Sequence, residues 1–317
     1  MKKVVKVIGK VLLGIIVVLA VFLIGTSVYN QVLLAGEREI LDGQNITQMV
    51  EVDGRMMSVY VAGEGEHTLV FMAGSGDSSP IIGFKDFADR FADDYRVVIV
   101  EKFGYGFSDE FDGSRSVETR VNQERKALQS LGITGPYILC PHSYSGLEAI
   151  YWAQNFPDEV EAIAGLDMAV PRAYDSYDDK VISSVNTMNI TNNLLNKAGV
   201  VRLFVGGSIP EDFTDEKRKT VTALVCKNYG NTTAGNEVKY VAADVAVIDK
   251  KPVPDIPTLL IISDGSVTEG WIGFENDYAS ALTDVTTLQL DCGHGVYDCE
   301  PDKCEDAMRT FLAGLAD

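Results

Sequence analysis

The longest apolar stretch of the chain runs from Val11 to Tyr29, where Tyr29 is the one ionisable side chain. A helix of roughly 20 residues crosses about 30 Å of hydrocarbon, so this stretch predicts a transmembrane helix. Lysines precede it, and the positive-inside bias then places the N-terminus in the cytoplasm and the rest of the chain on the extracytoplasmic side of the cell membrane. A cleaved signal of a secreted protein has the same charged start and apolar middle, and it stays the alternative. The lysines are Lys2, Lys3, Lys6 and Lys10.

After residue 37 the pattern changes to short apolar runs separated by segments with helical spacing. Thr68 to Ala73 and Val160 to Leu166 are continuous apolar runs, which is typical of strands covered on both faces. Alternation of such strands with helices predicts a mostly parallel sheet flanked by helices, with its ligand site beyond the carboxyl ends of the strands. The other runs are Tyr95 to Val100, Tyr137 to Cys140, Pro257 to Ser263 and Val285 to Leu290.

Turn and cap residues complete the predicted elements. Asp53-Gly54 suits a tight turn between two strand-like runs, Ile46 to Val52 and Arg55 to Ala62, so a hairpin is expected to open the domain. Ser116 is a candidate cap for a helix from Val117 to Leu131. Further helices are expected at Ile82 to Phe91 and at Pro301 to Leu315.

Residues 171–253 differ in character from the rest of the chain. They are rich in Asn, Thr, Asp and Lys, lack long apolar runs and contain a helical stretch from Ile190 to Phe204. This segment predicts a helical lid inserted into the sheet domain. The expected organisation is therefore an N-terminal anchor at 1–36, a core formed by 37–170 and 254–317, and a lid at 171–253.

Charge and cysteine content exclude several kinds of partner. The whole chain carries a net charge of −19, and the lysines before residue 37 leave −23 for the remainder. Nucleic acids and anionic lipids would be repelled by such a surface, so membrane contact is expected through the N-terminal helix only. Five cysteines occur without a C-x-x-C pair, so neither a metal nor another cofactor is expected. Cys292 and Cys299 are candidates for a disulfide across their loop.

The segment Pro141-His142-Ser143-Tyr144-Ser145-Gly146 lies between a predicted strand and a predicted helix. A serine at such a sharp turn projects clear of the sheet and lies beside the first free N–H groups of the helix, which favours a nucleophile at Ser143. The segment resembles the nucleophile elbow, G-x-S-x-G, of the α/β-hydrolase superfamily. Pro141 and Ser145 stand where that family has its two glycines.

Three histidines are available as a general base. His67 begins an early strand, and His142 shares the turn of Ser143, so it cannot readily swing round to accept its proton. His294 remains, in a loop after the last predicted strand, where the α/β-hydrolase family places its catalytic histidine.

Two further segments carry the resemblance. Glu101 to Asp109 is similar to the family's Asp-x-Arg-Gly-x-Gly-x-Ser stretch, with Glu101 and Phe103 as departures. Ala73-Gly74-Ser75-Gly76 occupies the place of its His-Gly oxyanion loop. The resemblance implies an α/β-hydrolase fold in which the backbone N–H groups of Ser75 and Tyr144 stabilise the oxyanion.

Two strand ends offer an acid to orient His294. Asp167 ends the strand after the elbow, in a segment similar to that in which some haloalkane dehalogenases carry their acid. Asp264 follows the penultimate strand, the more usual region. We favour Asp167 and keep Asp264 as the alternative.

The residues and the resemblance together predict a serine hydrolase that cleaves an ester or amide bond of a small molecule through an acyl-enzyme on Ser143. Serine at the elbow argues against dehalogenase or epoxide hydrolase chemistry, which uses an aspartate there. A carboxylic ester is the first expectation, and a proline-specific aminopeptidase is a second enzymatic one. A non-catalytic ligand-binding or sensing module on the same fold is the alternative from another class.

Overall fold

The computed structural model describes residues 2–43 and 46–315. Its centre is an eight-stranded sheet with the strand order β1-β2-β4-β3-β5-β6-β7-β8. β1 and β2 form an antiparallel hairpin, β2 pairs antiparallel with β4, and the remaining pairs are parallel. The strands are β1 (Gln48–Val52), β2 (Arg55–Ala62), β3 (Thr68–Met72), β4 (Arg96–Glu101), β5 (Tyr137–Ser143), β6 (Val160–Met168), β7 (Thr258–Ile262) and β8 (Val285–Gln289).

Helices cover both faces of the sheet, and two apolar clusters fill the space between the layers. One cluster includes Leu139 and Trp152, and the other includes Phe71 and Phe84, all fully buried. The helices are α1 (Lys2–Gly36), α2 (Arg38–Leu41), α3 (Pro80–Ala88), α4 (Val117–Ser130), α5 (Ser145–Asn155), α6 (Asp179–Lys197), α7 (Asp215–Asn228), α8 (Thr232–Gly235), α9 (Val241–Ile248), α10 (Trp271–Ala279), α11 (Val296–Cys299) and α12 (Pro301–Leu315), with short 3-10 turns between some of them.

The expected fold class, a mostly parallel sheet flanked by helices, is confirmed. The strands fall within two residues of their predicted ends except β5, which extends three residues further to Ser143, and the hairpin turn has positive φ at Asp53 (52°) and Gly54 (76°). Ser116 caps α4 as predicted, because its side chain accepts a hydrogen bond from the N–H of Thr119.

Three expectations are corrected. The helix expected from Ile190 to Phe204 is α6, which begins at Asp179 because Asp178 caps it and ends before Gly199, whose φ is 75°. Helix α10 was not predicted at all. All five cysteines are free thiols in the structure, so the bridge between Cys292 and Cys299 is not formed.

Residues 171–253 contain α6 to α9 and several 3-10 turns, and we refer to them as the insert. Among the described residues, α1 is the one helix long and apolar enough to cross a membrane, although a signal sequence near an N-terminus has the same properties. Its apolar side chains are exposed, and its C-terminal end contacts the insert. The division of the chain into a core and an inserted lid stays a prediction.

Candidate active site

Ser143 occupies a strained turn between β5 and α5. Its φ is 55°, a left-handed conformation that non-glycine residues rarely adopt and that clusters at functional sites. Ser145 fixes this turn, since its hydroxyl accepts from His142 N (3.0 Å) and donates to the carbonyl of Met72 (2.8 Å). At Gly146 a methyl group would lie 2.1 Å from the carbonyl oxygen of Ala169, so only glycine fits where α5 approaches β6.

The loop after β3 lies directly against Ser143. A methyl group built on Gly74 would lie 2.9 Å from Ser143 Cβ and 3.4 Å from its Oγ. Ser75 and Tyr144, whose backbone N–H groups are the predicted oxyanion donors, line the same cavity as Ser143. The predicted nucleophile, Ser143, and the two predicted oxyanion donors, Ser75 and Tyr144, are therefore neighbours at this end of the sheet.

Asp167 is fully buried at the end of β6, also with a positive φ of 52°. Its Oδ1 accepts from Ser263 N (2.7 Å) and from Trp271 Nε1 (2.8 Å), and its Oδ2 lies 2.5 Å from His294 Nδ1. Because a carboxylate accepts, His294 Nδ1 donates, and in the neutral ring Nε2 is then the acceptor. That tautomer is the one a general base requires.

The alternative acid, Asp264, does not reach this arrangement. It is exposed, and its Oδ1 accepts from Ser266 N (2.8 Å) within its own loop. The structure thus brings His294 together with Asp167 and leaves Asp264 as a loop carboxylate that satisfies a backbone N–H.

His142 contacts His294 without competing for its role. The two rings lie 4.6 Å apart, and His142 Nε2 donates to the carbonyl of His294 (3.1 Å). Burial, reinforced by the neighbouring His294, lowers the pKa of His142 to about 4, so its ring is neutral at pH 7. Among the hydrogen bonds of the described residues, none joins Ser143 Oγ to His294; such bonds are often long in ligand-free enzymes.

The cavity above Ser143 has a volume of about 370 Å³. Its walls come from the strand ends, from the insert and from α10, and the residues that line it carry no ionised side chain. They are Ser75, Gly76, Ser143, Tyr144, Ala173, Tyr174, Tyr177, Val185, Met188, Asn189, Ala234, Val238, Val241, Val267, Thr268 and Trp271.

A buried ionic cluster lies beneath this cavity, and sequence reasoning missed it. Glu148 is paired with Lys102 (3.0 Å) and with Arg120 (2.5 Å), and none of the three side chains is more than 2% exposed. Lys102 also donates to the carbonyl of Ala73 (3.1 Å), which ties the cluster to the predicted oxyanion loop. The cluster comprises Lys102, Arg115, Arg120, Glu148, Glu237 and Asp244.

The same cluster joins the core to the insert. Glu237 of the insert pairs with Arg115 (2.6 Å), and Asp244 pairs with Arg120 (3.2 Å). Burial alone would raise the pKa of Glu237, but the charges of Lys102, Arg115 and Arg120 lower it to about 2. Glu237 also accepts from Tyr105, whose hydroxyl in turn accepts from Gly76 N (2.9 Å).

Trp271 is the other contributor that sequence reasoning missed, because α10 itself was not predicted. Besides its bond to Asp167, its ring lies edge-on to His294 at 5.5 Å. Within the part of the chain that the structure describes, no group of three or more His, Cys, Asp or Glu side chains is placed to hold a metal ion.

Solved structures share this architecture at low sequence identity. The Cif epoxide hydrolase of Acinetobacter nosocomialis superposes with a TM-score of 0.70 and 15% identity, covering 90% of this chain and 96% of that one. Cfl2 of Burkholderia cenocepacia gives a TM-score of 0.67 and 19% identity, covering 84% and 95%. Likeness at this level of identity shows the fold alone, which is the α/β-hydrolase fold.

Sequence comparison identifies a nearer relative. No protein-family model matches the chain. The uncharacterized protein YbdG of Bacillus subtilis (strain 168) is 30% identical over 250 residues, which are 74% of this chain and 76% of YbdG. The chain therefore belongs to the same family as YbdG and has the α/β-hydrolase fold.

Proposed function

We propose that this protein is a serine hydrolase that cleaves an ester of a small, uncharged substrate through an acyl-enzyme on Ser143. The observation that carries the proposal is the hydrogen bond from His294 to Asp167, which lies on the strand next to the one that ends in a serine held at φ 55°. Structural strain at Ser143 and Asp167 has no evident use in stability, and residues in such conformations concentrate at functional sites.

In the proposed reaction, His294 Nε2 takes the proton of Ser143 Oγ as that oxygen attacks the substrate carbonyl. Asp167 holds the ring orientation and stabilises the imidazolium, and its two other hydrogen bonds keep the carboxylate fixed. The N–H groups of Ser75 and Tyr144 stabilise the oxyanion, an interaction worth about 10² to 10³ in rate per donor. His294 then protonates the leaving alcohol, and water resolves the acyl-enzyme by the same steps.

The cavity supports an ester in preference to an N-terminal peptide bond. An aminopeptidase must hold the free ammonium of its substrate, which requires a carboxylate in the pocket. The lining residues carry none, and the nearby Glu237 is already paired with Arg115 and Tyr105. Apolar walls such as Val185 and Val241 suit an uncharged acyl or alkyl group.

Fluorophosphonate labelling and p-nitrophenyl ester hydrolysis by the full chain in detergent micelles test this function. We expect wild type to be labelled and active, Ser143→Ala to be unlabelled, and His294→Ala to be inactive. Ser266→Ala is the matched control, since Ser266 lies on an exposed loop outside the cavity. An inert wild-type protein, or label that persists in Ser143→Ala, would contradict the proposal and favour a non-catalytic binding module.

We also propose that α1 anchors the hydrolase domain on the extracytoplasmic side of the cell membrane. The apolar length of α1 and the lysines before it support this orientation. Cys299 is exposed, so a membrane-impermeant maleimide should label it in intact cells and fail to label Cys299→Ser. Labelling of Cys299 only after cell lysis would place the domain in the cytoplasm instead.

A further inference from the structure

Exposed apolar side chains outside α1 concentrate on one part of the insert. Leu194 and Leu195 at the end of α6 are 63% and 42% exposed, and Leu203 and Phe204 just after it are 46% and 71% exposed. We call these four residues the apolar patch. Leu195 and Phe204, one from each half of the patch, line one groove of about 500 Å³. Contiguous apolar surface of this kind marks a contact with a partner or a membrane.

The C-terminal end of α1 docks beside this patch. Thr26 donates to the carbonyl of Ala198 (2.7 Å), and Ser27 donates to the carbonyl of Lys197 (2.9 Å). Gly199 permits the approach, because a methyl group there would lie 2.1 Å from the carbonyl oxygen of Thr26. The helix that carries the apolar N-terminal stretch is thus fixed to the segment between Leu195 and Leu203.

Arg202, next to Leu203 of the patch in sequence, strengthens the same contact. Its guanidinium donates two hydrogen bonds to the carboxylate of Glu37 (2.8 Å each) and one to Asn30 Oδ1 (2.5 Å). The side chain of Arg202 is only 6% exposed. The positive charge of Arg202 is therefore paired with the carboxylate of Glu37, just after α1. It does not oppose an apolar environment around Phe204.

Helix geometry sets the depth of the patch. With Lys10 at one boundary of the hydrocarbon, a rise of 1.5 Å per residue over about 30 Å places the other boundary near Asn30. Thr26, Ser27 and Asn30, which lie near this boundary, donate or accept hydrogen bonds to the insert. Leu34, one turn further on, packs against the buried cluster that includes Val205. The apolar patch then lies at the level where acyl chains meet headgroups.

The charge of this segment fits the same environment. Residues 180–209 contain no aspartate or glutamate and carry Lys180, Lys197 and Arg202, whereas residues 37–317 as a whole carry −23. Lysine at a membrane interface directs its ammonium to the phosphates while its alkyl stem stays in apolar surroundings. This carboxylate-free stretch contacts α1 through Lys197, Ala198 and Arg202.

We propose that the apolar patch is embedded in the interfacial layer of the phospholipid bilayer that α1 spans. The protein then contacts the membrane through two elements, a spanning helix and a face of the insert. This inference rests on α1 spanning a bilayer and is independent of the proposed hydrolase activity. It differs from the expectation that membrane contact is through the N-terminal helix only, and the experiment below distinguishes the two.

Tryptophan quenching by brominated lipid tests the proposal. The full chain is reconstituted in phosphatidylcholine vesicles with brominated acyl chains, and the wild-type signal of Trp152 and Trp271 is subtracted. Phe204→Trp reports on the patch and Phe22→Trp on α1. Val247→Trp is the matched control on α9, outside the patch, where Val247 is 41% exposed. We expect Phe22→Trp and Phe204→Trp to lose at least about half of their added fluorescence and Val247→Trp to lose little.

Equal, weak quenching of Phe204→Trp and Val247→Trp would overturn the proposal, and so would an unquenched Phe22→Trp. The proposal would also be overturned if the added fluorescence of Phe204→Trp were quenched neither by brominated lipid nor by aqueous acrylamide. A second protein surface would then cover the patch. The substitutions are at exposed positions, and circular dichroism against wild type verifies that each variant is folded. None of these outcomes depends on catalytic activity.

Discussion

The two sides of the cavity are held in different ways. On the side of the strand ends, Asp167 makes three hydrogen bonds. The buried ionic cluster contacts the loop after β3 through Lys102 and one wall of the insert through Glu237 and Asp244. On the side of α6, Met188 is 55% exposed. The helix is held by hydrogen bonds from side-chain amides, such as that from Asn193 Nδ2 to the carbonyl of Gly230 (2.9 Å).

This difference indicates that the two sides of the cavity have different functions. Groups that act on the reacting atoms must be held within fractions of an ångström, and buried, fully paired charges provide such rigidity at a cost in desolvation. A wall that only shapes the substrate tolerates looser packing. We therefore expect variants on the strand-end side to affect turnover or stability, and variants on the α6 side to affect substrate preference.

The largest expected effect is that of Asp167→Asn. The amide cannot stabilise the imidazolium and favours the wrong tautomer of His294, so kcat for ester hydrolysis should fall by about 10⁴. Asp264→Asn makes the same change on an exposed loop and should stay within about twofold of wild type. Steady-state kinetics with p-nitrophenyl butyrate measures both. A larger loss in Asp264→Asn would reverse the assignment of the acid.

Glu148→Gln should have the next largest effect, on stability. It leaves Lys102 and Arg120 partly unpaired in the core, and breaking such a pair costs about 3 to 5 kcal/mol of the free energy of unfolding. Glu159→Gln removes the same charge from a partly exposed pair with Arg125. Its expected loss in the free energy of unfolding is below about 1 kcal/mol. Urea unfolding of both variants gives the comparison. Equal losses would show that burial of the cluster contributes nothing.

The smallest effect is expected on the α6 side. Met188→Ala removes an apolar contact between the cavity wall and the substrate without touching the strand ends, so KM for esters with longer acyl chains should rise by up to about tenfold while kcat stays within about twofold. Met56→Ala, at a 38% exposed position on β2 outside the cavity, is the control. A fall in kcat for Met188→Ala as large as that for Asp167→Asn would remove the distinction between the two sides.

Much of the core was predictable because a strand buried on both faces is a continuous apolar run, as at Thr68–Met72 and Thr258–Ile262. Ser143 and His294 were found from local patterns, since each follows such a strand. That their neighbours include Asp167 and not Asp264 depends on where two strands end in space. Local spacing does not contain that information.

The errors have physical reasons too. The stretch from Ile190 to Phe204 was expected to be helical, but the cap at Asp178 and the left-handed Gly199 define the actual helix. α10 has a mixed composition and begins after Gly270, so it gave no clear period and its Trp271 was overlooked. Partners within the ionic cluster are up to 124 residues apart in sequence, as for Arg120 and Asp244, and no local pattern links them.

The contact of α1 with Ala198 and Arg202 also limits how the protein meets its substrate. A domain on a flexible linker of n residues explores a region about 5 to 6 Å × √n across, and it turns freely within it. Here the helix is bonded directly to the insert, so with α1 in a bilayer the cavity keeps one height and one orientation above the surface. Its search for substrate becomes lateral diffusion in two dimensions, and molecules that gather at the membrane are met more often than those dissolved in the bulk.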